Sequence, residues 1–132
     1  MPGVQQWEVY FVVNSRHAKR APKDKFVVIA CFDPNPCGFF INSRINTFVQ
    51  QNPRLLPCMV VIPARSHAFL QYDSWLDCRE LLSFQDSELT DRRGIVAPET
   101  LPSIHTAVSA CPVLRPRFKR LILGSDGSNL TP

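Results

Sequence analysis

The chain has 132 residues, of which 45% are hydrophobic and 20% charged, and its formal net charge is +4. This length allows one domain with a sizeable core, and the composition is ordinary for a soluble globular protein. No apolar run approaches the ~20 residues that cross a bilayer, and the amino terminus shows no export signal, so we expect a cytoplasmic protein without membrane contact.

The first half of the chain is rich in predicted β-strands. The aromatic and β-branched stretch Trp7–Val13 predicts the first strand. Phe26–Phe32 is continuously apolar, which is typical of a strand covered on both faces, and a dense turn signal joins it to Gly38–Arg44 as a hairpin. Ile45–Asn52 has the spacing of one or two helical turns, and Cys58–Ile62 predicts the next strand.

The region after this strand is more polar. Ala68–Cys78 alternates in part between apolar and polar residues, and Glu80–Phe84 allows one more short strand. Gln85–Gly94 is polar and is predicted to form turns. Together these segments favour an antiparallel arrangement rather than alternating βαβ units.

The end of the chain changes character. With Thr100 as its N-cap, a helix is predicted to start at the next residue and to end at Pro112. Arg117–Leu123 fits either a last strand or a helical turn. We therefore predict a mainly β or α+β fold, a small antiparallel barrel with short helices that include a C-terminal one, as a single domain over residues 1–123. Residues 124–132 are predicted to be a disordered tail.

Charge is unevenly distributed along the chain. Asn14–Lys25 contains five cations and one acid, and Pro112–Leu123 contains four cations and no acid. Between them, Asp73–Asp91 is rich in acidic residues. Two basic patches beside an acidic surface suit an anionic polymer as one partner. The alternative, that these are simply solvated loops, stays open because +4 is a modest charge for a nucleic-acid-binding protein.

Familiar cofactor, metal and hydrolase motifs are absent from the sequence. There is no GxGxxG, GxxxxGK[ST], HExxH or GxSxG pattern. The five cysteines are irregularly spaced and form no CxxC pair, so zinc would need ligands from distant segments. We expect structural free thiols, and we predict neither a metal nor a cofactor.

Polar side chains gather where two predicted strands end. They are Asn42, Ser43 and Arg44 after the hairpin, and Arg65, Ser66 and His67 after the next strand. A metal-free ribonuclease needs a proton-transferring group near the 2′-oxygen and cations that stabilise a pentavalent phosphorane. Histidine, arginine and hydroxyl groups meet that need. The alternative is that these residues only satisfy backbone groups in turns.

The order of several segments resembles the MazF/PemK-like toxins. The segments read KFVVIAC, then a hairpin, MVVIPARS, DSWLDCRELLSF and LTDRRGIVAPETLPSIHTAV. The resemblance covers roughly Lys25 to Ala110. It implies an SH3-like β-barrel with appended helices and a metal-independent endoribonuclease of a bacterial toxin–antitoxin system, acting on single-stranded RNA. It also implies a homodimer and a cognate antitoxin as partners.

The resemblance also implies roles for individual residues. Lys25 and Phe26 stand where the family has Arg-Pro, so a cation is kept without the guanidinium fork. Ser66 lies near the position of the family's Thr. The implied catalytic set is Lys25 and Arg65 on the phosphate, Ser66 orienting it, and His67 or His17 transferring protons. The charge pattern and the strand ends, rather than the resemblance, predict the RNA-binding set, which is Arg16, His17, Lys19, Arg20, Asn42, Ser43 and Arg44.

Two other functions fit the same residues. A catalytically silent barrel would bind nucleic acid or another protein through its basic patches, because phosphate contacts set affinity without any chemistry. Alternatively, the aromatic and acidic stretch around Tyr72 and Trp75 would serve as a protein-interaction surface, unless Trp75 packs into the core.

Overall fold

The computed structural model describes residues 3–17 and 23–124. Lys19 and Arg20 of the basic loop lie outside these ranges, and so do residues 125–132, which make up most of the predicted tail. Within the described ranges, one antiparallel sheet and three α-helices build the fold. No helix in this part of the chain is long and apolar enough to cross a membrane.

The sheet contains seven strands among the described residues, and all its pairings are antiparallel. They are β1 (Glu8–Ser15), β2 (Lys23–Phe32), β3 (Pro36–Asn42), β4 (Met59–Ile62), β5 (Ser74–Asp77), β6 (Leu82–Ser83) and β7 (Arg92–Ile95). The order is β4-β5-β3-β2-β1-β7, and β6 pairs with β3. The sheet curls into a half-barrel with β4 and β7 at its edges, which confirms the predicted barrel-like antiparallel class.

The helices are short and concentrate at the carboxyl end. They are α1 (Thr47–Gln50), α2 (Leu101–Ala110) and α3 (Pro116–Leu123). Single 3-10 turns lie at Leu56–Cys58, Ala64–Ser66, Asp86–Glu88 and Pro98–Thr100. The predicted helix after Thr100 is confirmed as α2, and α3 resolves the open choice at the last basic segment in favour of a helix. A proline near the start of each suits this position, where its missing N–H has no helical partner.

The sheet is covered on both faces, which explains the continuous apolar run of β2. One face packs against α2 and α3 and includes Val28, Phe39, Ile104 and Ile122. The other face forms a smaller cluster around Val27, Ile29, Phe84 and Leu89. Alternate residues of a strand point to opposite faces, so a central strand with two covered faces needs an apolar residue at every position.

All five cysteines are buried free thiols. Cys31 and Cys37 are register partners across β2 and β3, within the core. Burial raises the pKa of Cys58 to about 12, and burial also raises the pKa of Cys78 well above its usual value. Thiols with such raised pKa values stay protonated near neutral pH and serve as small apolar core residues.

Two predicted assignments differ from the structure. The predicted strand over Ala68–Cys78 shrinks to β5, because residues before Ser74 form a loop. The segment Gln85–Gly94, predicted as turns only, contains most of β7, which pairs with β1. Both side chains of the Arg92–Arg93 pair are partly exposed, so this strand lacks an apolar pattern and depends on its partner for its conformation.

Candidate functional site

A cleft of about 570 Å³ opens at the end of the sheet where β2 begins and β3 ends. Its polar lining includes Lys23, Asp24, Lys25, Asn42, Ser43, Gln71, Ser74 and Arg93. Its apolar and aromatic lining includes Phe11, Phe26, Ile41, Phe69, Leu70 and Tyr72. Three cations face one carboxylate across the lining, so the cleft favours an anionic ligand that also presents flat apolar surfaces.

Lys25 is held in place by a neighbouring strand. Its Nζ donates a hydrogen bond of 2.6 Å to Oδ1 of Asn42 and lies 5.2 Å from the centroid of the Phe40 ring. Burial lowers the pKa of Lys25 below its usual value, and the neighbouring charge of Lys23 adds to this effect. A positioned ammonium group in a partly dry site interacts more strongly with a phosphate than a fully hydrated one does.

Asn42 and Ser43 extend the polar end of the cleft from the neighbouring strand. Asn42 closes β3, where the strand leaves its buried stretch, and its amide oxygen holds the Lys25 ammonium. The side chain of Ser43 is exposed at the cleft, one residue beyond the strand. Antiparallel pairing of β2 and β3 therefore brings together two groups of predicted residues that lie far apart in sequence.

Aromatic rings form the opposite wall. Phe26 packs in tilted contact against Phe11, with ring centroids 5.1 Å apart, and against Phe69, with centroids 5.3 Å apart. The guanidinium of Arg93 lies 4.5 Å above the Phe11 ring centroid. Gly94 allows this packing, because a Cβ at that position would lie 3.2 Å from the Phe69 ring. A basic end and an aromatic wall together are the combination with which proteins bind single-stranded nucleic acid.

The predicted catalytic group at the end of β4 lies outside this cleft. Arg65 is exposed and Ser66 half-buried on the 3-10 turn, and neither lines the cleft. His67 is 2% exposed. Its Nδ1 lies 2.8 Å from the Pro63 carbonyl oxygen, and its Nε2 accepts the Ala97 N–H at 3.0 Å.

These hydrogen bonds bear on the predicted proton-transferring role of His67. Since Ala97 donates to Nε2, the proton of the neutral ring is on Nδ1 and is donated to Pro63. Both nitrogens are thus occupied, and the ring joins the β4–β5 connection to the segment before α2. Its other neighbour, the Phe69 ring, lies 5.7 Å away and belongs to the cleft wall. His67 therefore supports the wall and is not placed to transfer a proton in the cleft.

Of the predicted RNA-binding residues in the first basic loop, Arg16 and His17 are described, and neither lines the cleft. Arg16 pairs with Glu88 at 3.2 Å and donates to the Ser83 carbonyl. The Nε2 of His17 lies 2.7 Å from the same carbonyl oxygen, and its ring packs edge-on against Phe84 at 5.0 Å. These contacts join the end of β1 to β6 and the turn that follows it. Arg44 is exposed and is not part of the cleft lining.

Sequence reasoning missed the aromatic wall and Arg93. The wall gathers residues from β1, β2 and the loop before β5, and no local pattern joins those segments. Arg93 belongs to the basic pair of the segment Leu89–Val108, which carried the family resemblance without a role for either arginine. Among the described residues, no group of three or more His, Cys, Asp or Glu side chains could hold a metal ion.

The architecture is that of toxin endoribonucleases whose structures have been solved. One is an endoribonuclease from a mycobacterial species in complex with its cognate antitoxin, with a TM-score of 0.60 and 16% identity over 87% of this chain and 98% of that chain. Another endoribonuclease from a mycobacterial species has a TM-score of 0.57 and 17% identity over 88% of this chain and 98% of that chain.

A third similar structure is the Mycobacterium tuberculosis toxin MazF-mt6. It has a TM-score of 0.54 and 14% identity over 76% of this chain and 94% of that chain. No protein-family profile matches the chain, and no curated protein matches it in sequence. At these identities the structural likeness establishes a common fold, and this fold is the one that the sequence resemblance predicted.

Proposed function

We propose that the chain is an endoribonuclease toxin of a toxin–antitoxin system that cleaves single-stranded RNA in the cleft around Lys25. The observation that carries this proposal is the Lys25 ammonium group, positioned by Asn42 beside the exposed Ser43 in a basic, aromatic cleft. The common fold with two solved endoribonucleases, one of them bound to its antitoxin, and with a solved toxin supports it independently. Arg65, Ser66 and His67 are replaced in this proposal by Lys25, Asn42 and Ser43.

The proposed reaction is an internal transesterification of RNA. The 2′-oxygen attacks the adjacent phosphorus and passes its proton to water, and the bond from phosphorus to the 5′-oxygen breaks as that oxygen takes a proton from water. The products are a 2′,3′-cyclic phosphate and a free 5′-hydroxyl. Lys25 stabilises the extra negative charge of the phosphorane, and the Ser43 hydroxyl donates a hydrogen bond to a phosphate oxygen. The lowered pKa of Lys25 also brings its proton exchange closer to neutral pH.

The proposal includes the cellular context of such an enzyme. A cognate antitoxin is proposed as the protein partner, since one of the similar structures is a complex of an endoribonuclease with its antitoxin. A homodimer and a cytoplasmic location, where RNA substrates are found, complete the proposal. The binding of RNA should weaken steeply with salt, because it depends on cations that face phosphates.

The test is cleavage of a single-stranded RNA by the purified chain in the presence of a chelator. Wild type should cleave it, and Lys25→Ala should lower kcat/KM by about 100-fold or more, as expected when a charge-stabilising group is removed. Ser43→Ala should reduce it by a smaller factor, about 10-fold, the effect of one lost hydrogen bond.

Lys119→Ala is the matched control. It removes the same charge from α3, where the ammonium donates to the Ser109 carbonyl, and Lys119 is not part of the cleft lining. This variant should cleave like wild type. RNA that stays intact with wild type refutes the proposal, and salt-sensitive RNA binding without cleavage would instead favour the non-catalytic module. Equal activity of Lys25→Ala and Lys119→Ala refutes the assignment of the site.

A further inference from the structure

Arg93 is held on two sides at the rim of the cleft. Its guanidinium lies 4.5 Å from the Phe11 ring centroid and 5.8 Å from the Phe26 ring centroid. Its Nε and Nη2 each donate a 2.9 Å hydrogen bond to the carboxylate of Asp91. The side chain is still 38% exposed. These contacts fix the orientation of the planar guanidinium group at the rim of the cleft.

The restraints occupy one edge of the guanidinium and fix the orientation of its plane. An arginine that binds phosphate offers the fork of its N–H groups to the phosphate oxygens. In Arg93 one fork, formed by Nε and Nη2, is taken by Asp91, and the carboxylate offsets part of the charge. The guanidinium lies over the Phe11 ring and the side chain is 38% exposed, so part of the planar group is available for stacking. Nucleobases of single-stranded RNA stack on aromatic rings and on arginine planes.

The position of Arg93 relative to Lys25 suits a neighbouring nucleotide. Lys25 is on β2 and Arg93 on β7, and β1 lies between them. Two strand spacings of about 4.8 Å therefore separate the backbones. Lys25 and Arg93 both belong to the lining of the same cleft, as do Phe11 and Phe26.

We propose that Arg93, seated on Phe11 and held by Asp91, is a stacking platform for one nucleobase of the RNA in the cleft. This inference rests on the proposed function in taking RNA as the ligand, and it adds a subsite that recognises a base rather than a phosphate. Arg93 touches the ligand, while Phe11 and Asp91 act as positioning residues. Stacking tolerates any base, so the platform contributes affinity and register, with a preference for purines because of their larger rings.

The test measures binding of a short 2′-O-methyl RNA, which has no free 2′-hydroxyl to attack and stays intact. Fluorescence anisotropy gives the Kd for wild type and variants. Arg93→Ala should weaken binding by roughly 5-fold to 140-fold, the range for one stacked base. Arg93→Lys keeps the charge but loses the plane, so it should lose nearly as much. Asp91→Asn, which keeps Arg93 but loosens its hold, should give an intermediate loss.

Arg92→Ala is the matched control, since this neighbour pairs with Glu8 at 2.8 Å and is not part of the cleft lining. It should change the Kd by less than about twofold, as is usual for a single exposed ion pair. Thermal unfolding of each variant checks that the fold is intact. Wild-type affinity in Arg93→Lys would overturn the proposal, because charge alone would then suffice.

A series of abasic oligonucleotides makes the test specific to a base. Removing the base that stacks on Arg93 should weaken wild-type binding and abolish the difference between wild type and Arg93→Ala. If that difference persists for every abasic position, the platform is refuted.

The outcomes also separate this inference from the proposed function. If the variants bind RNA as predicted but wild type does not cleave ordinary RNA, the ribonuclease is refuted and the stacking platform is supported. If wild type cleaves RNA and Arg93→Lys binds RNA as tightly as wild type, only the platform is refuted. A wild-type protein that binds no RNA refutes both.

Discussion

Replacing His67 by alanine tests whether this histidine supports the cleft or catalyses a reaction in it. The substitution removes two hydrogen bonds, one to the Pro63 carbonyl and one from the Ala97 N–H. Each is worth about 1 kcal/mol, and the cavity left at a site that is 2% exposed adds at least as much. We therefore expect a loss of about 3 kcal/mol in the free energy of unfolding.

Such a loss is large enough to measure by thermal or urea unfolding. For a domain of this size, about 3 kcal/mol corresponds to a fall in Tm of roughly 10–15 °C. His67→Gln should lose less, because its side-chain oxygen can accept the Ala97 N–H in place of Nε2. Arg65→Ala is the control in the same turn, and it should change stability by less than about 0.5 kcal/mol because Arg65 is exposed.

RNA cleavage by the same variants separates the two roles. At a temperature where His67→Gln is folded, it should retain most of the wild-type activity, because neither ring nitrogen is free for proton transfer. A His67→Gln variant with wild-type stability and abolished cleavage would refute this reasoning and restore the catalytic role.

Three further predictions concern the cleft and the sheet. Burial lowers the pKa of Lys25, so the charge of its ammonium group is present below that pKa and is lost as the pH rises through it. Cleavage should therefore fall at a lower pH in wild type than in Lys25→Arg. The same pH profile for both proteins would contradict this. Tyr72→Ala should weaken RNA binding about fivefold, as expected when a ring that stacks on a base is removed. Phe48→Ala removes a similarly exposed ring outside the cleft and should leave RNA binding unchanged. Equal losses of affinity in both variants would exclude a specific contact at Tyr72. Gly38→Ala should lower the free energy of unfolding, measured with urea, by about 2–3 kcal/mol, because the added Cβ would lie 2.5 Å from the Val28 carbonyl oxygen. A variant as stable as wild type would show that β3 can shift to make room.

Local signals predicted the parts of the fold that depend on local structure. The hairpin of β2 and β3 followed from two apolar runs around a dense turn, and α2 followed from Thr100, a nearby proline and apolar spacing. β7 has no such pattern. Its backbone is extended because it pairs with β1, about 85 residues earlier in the chain, and a tertiary contact of this kind leaves no mark in a short window.

The site could be predicted only in part for the same reason. Lys25 and Asn42 were both candidates, but their contact depends on the register of the hairpin, which shifts between Ile29 and Cys31. A slip of one residue would have turned one of the two side chains to the other face of the sheet. The hydrogen bonding of His67 could not be predicted for a similar reason, because its acceptor role depends on Ala97, which is distant in sequence.

The most direct test of the central claim is the chemistry of the RNA ends after incubation with the purified chain and a chelator. The account predicts fragments with a 2′,3′-cyclic phosphate and a 5′-hydroxyl from wild type and from Lys119→Ala, and almost none from Lys25→Ala. Mass spectrometry of the fragments distinguishes these ends from the products of a hydrolytic nuclease. Intact RNA with wild type, or the same fragments in equal yield from Lys25→Ala, would contradict it.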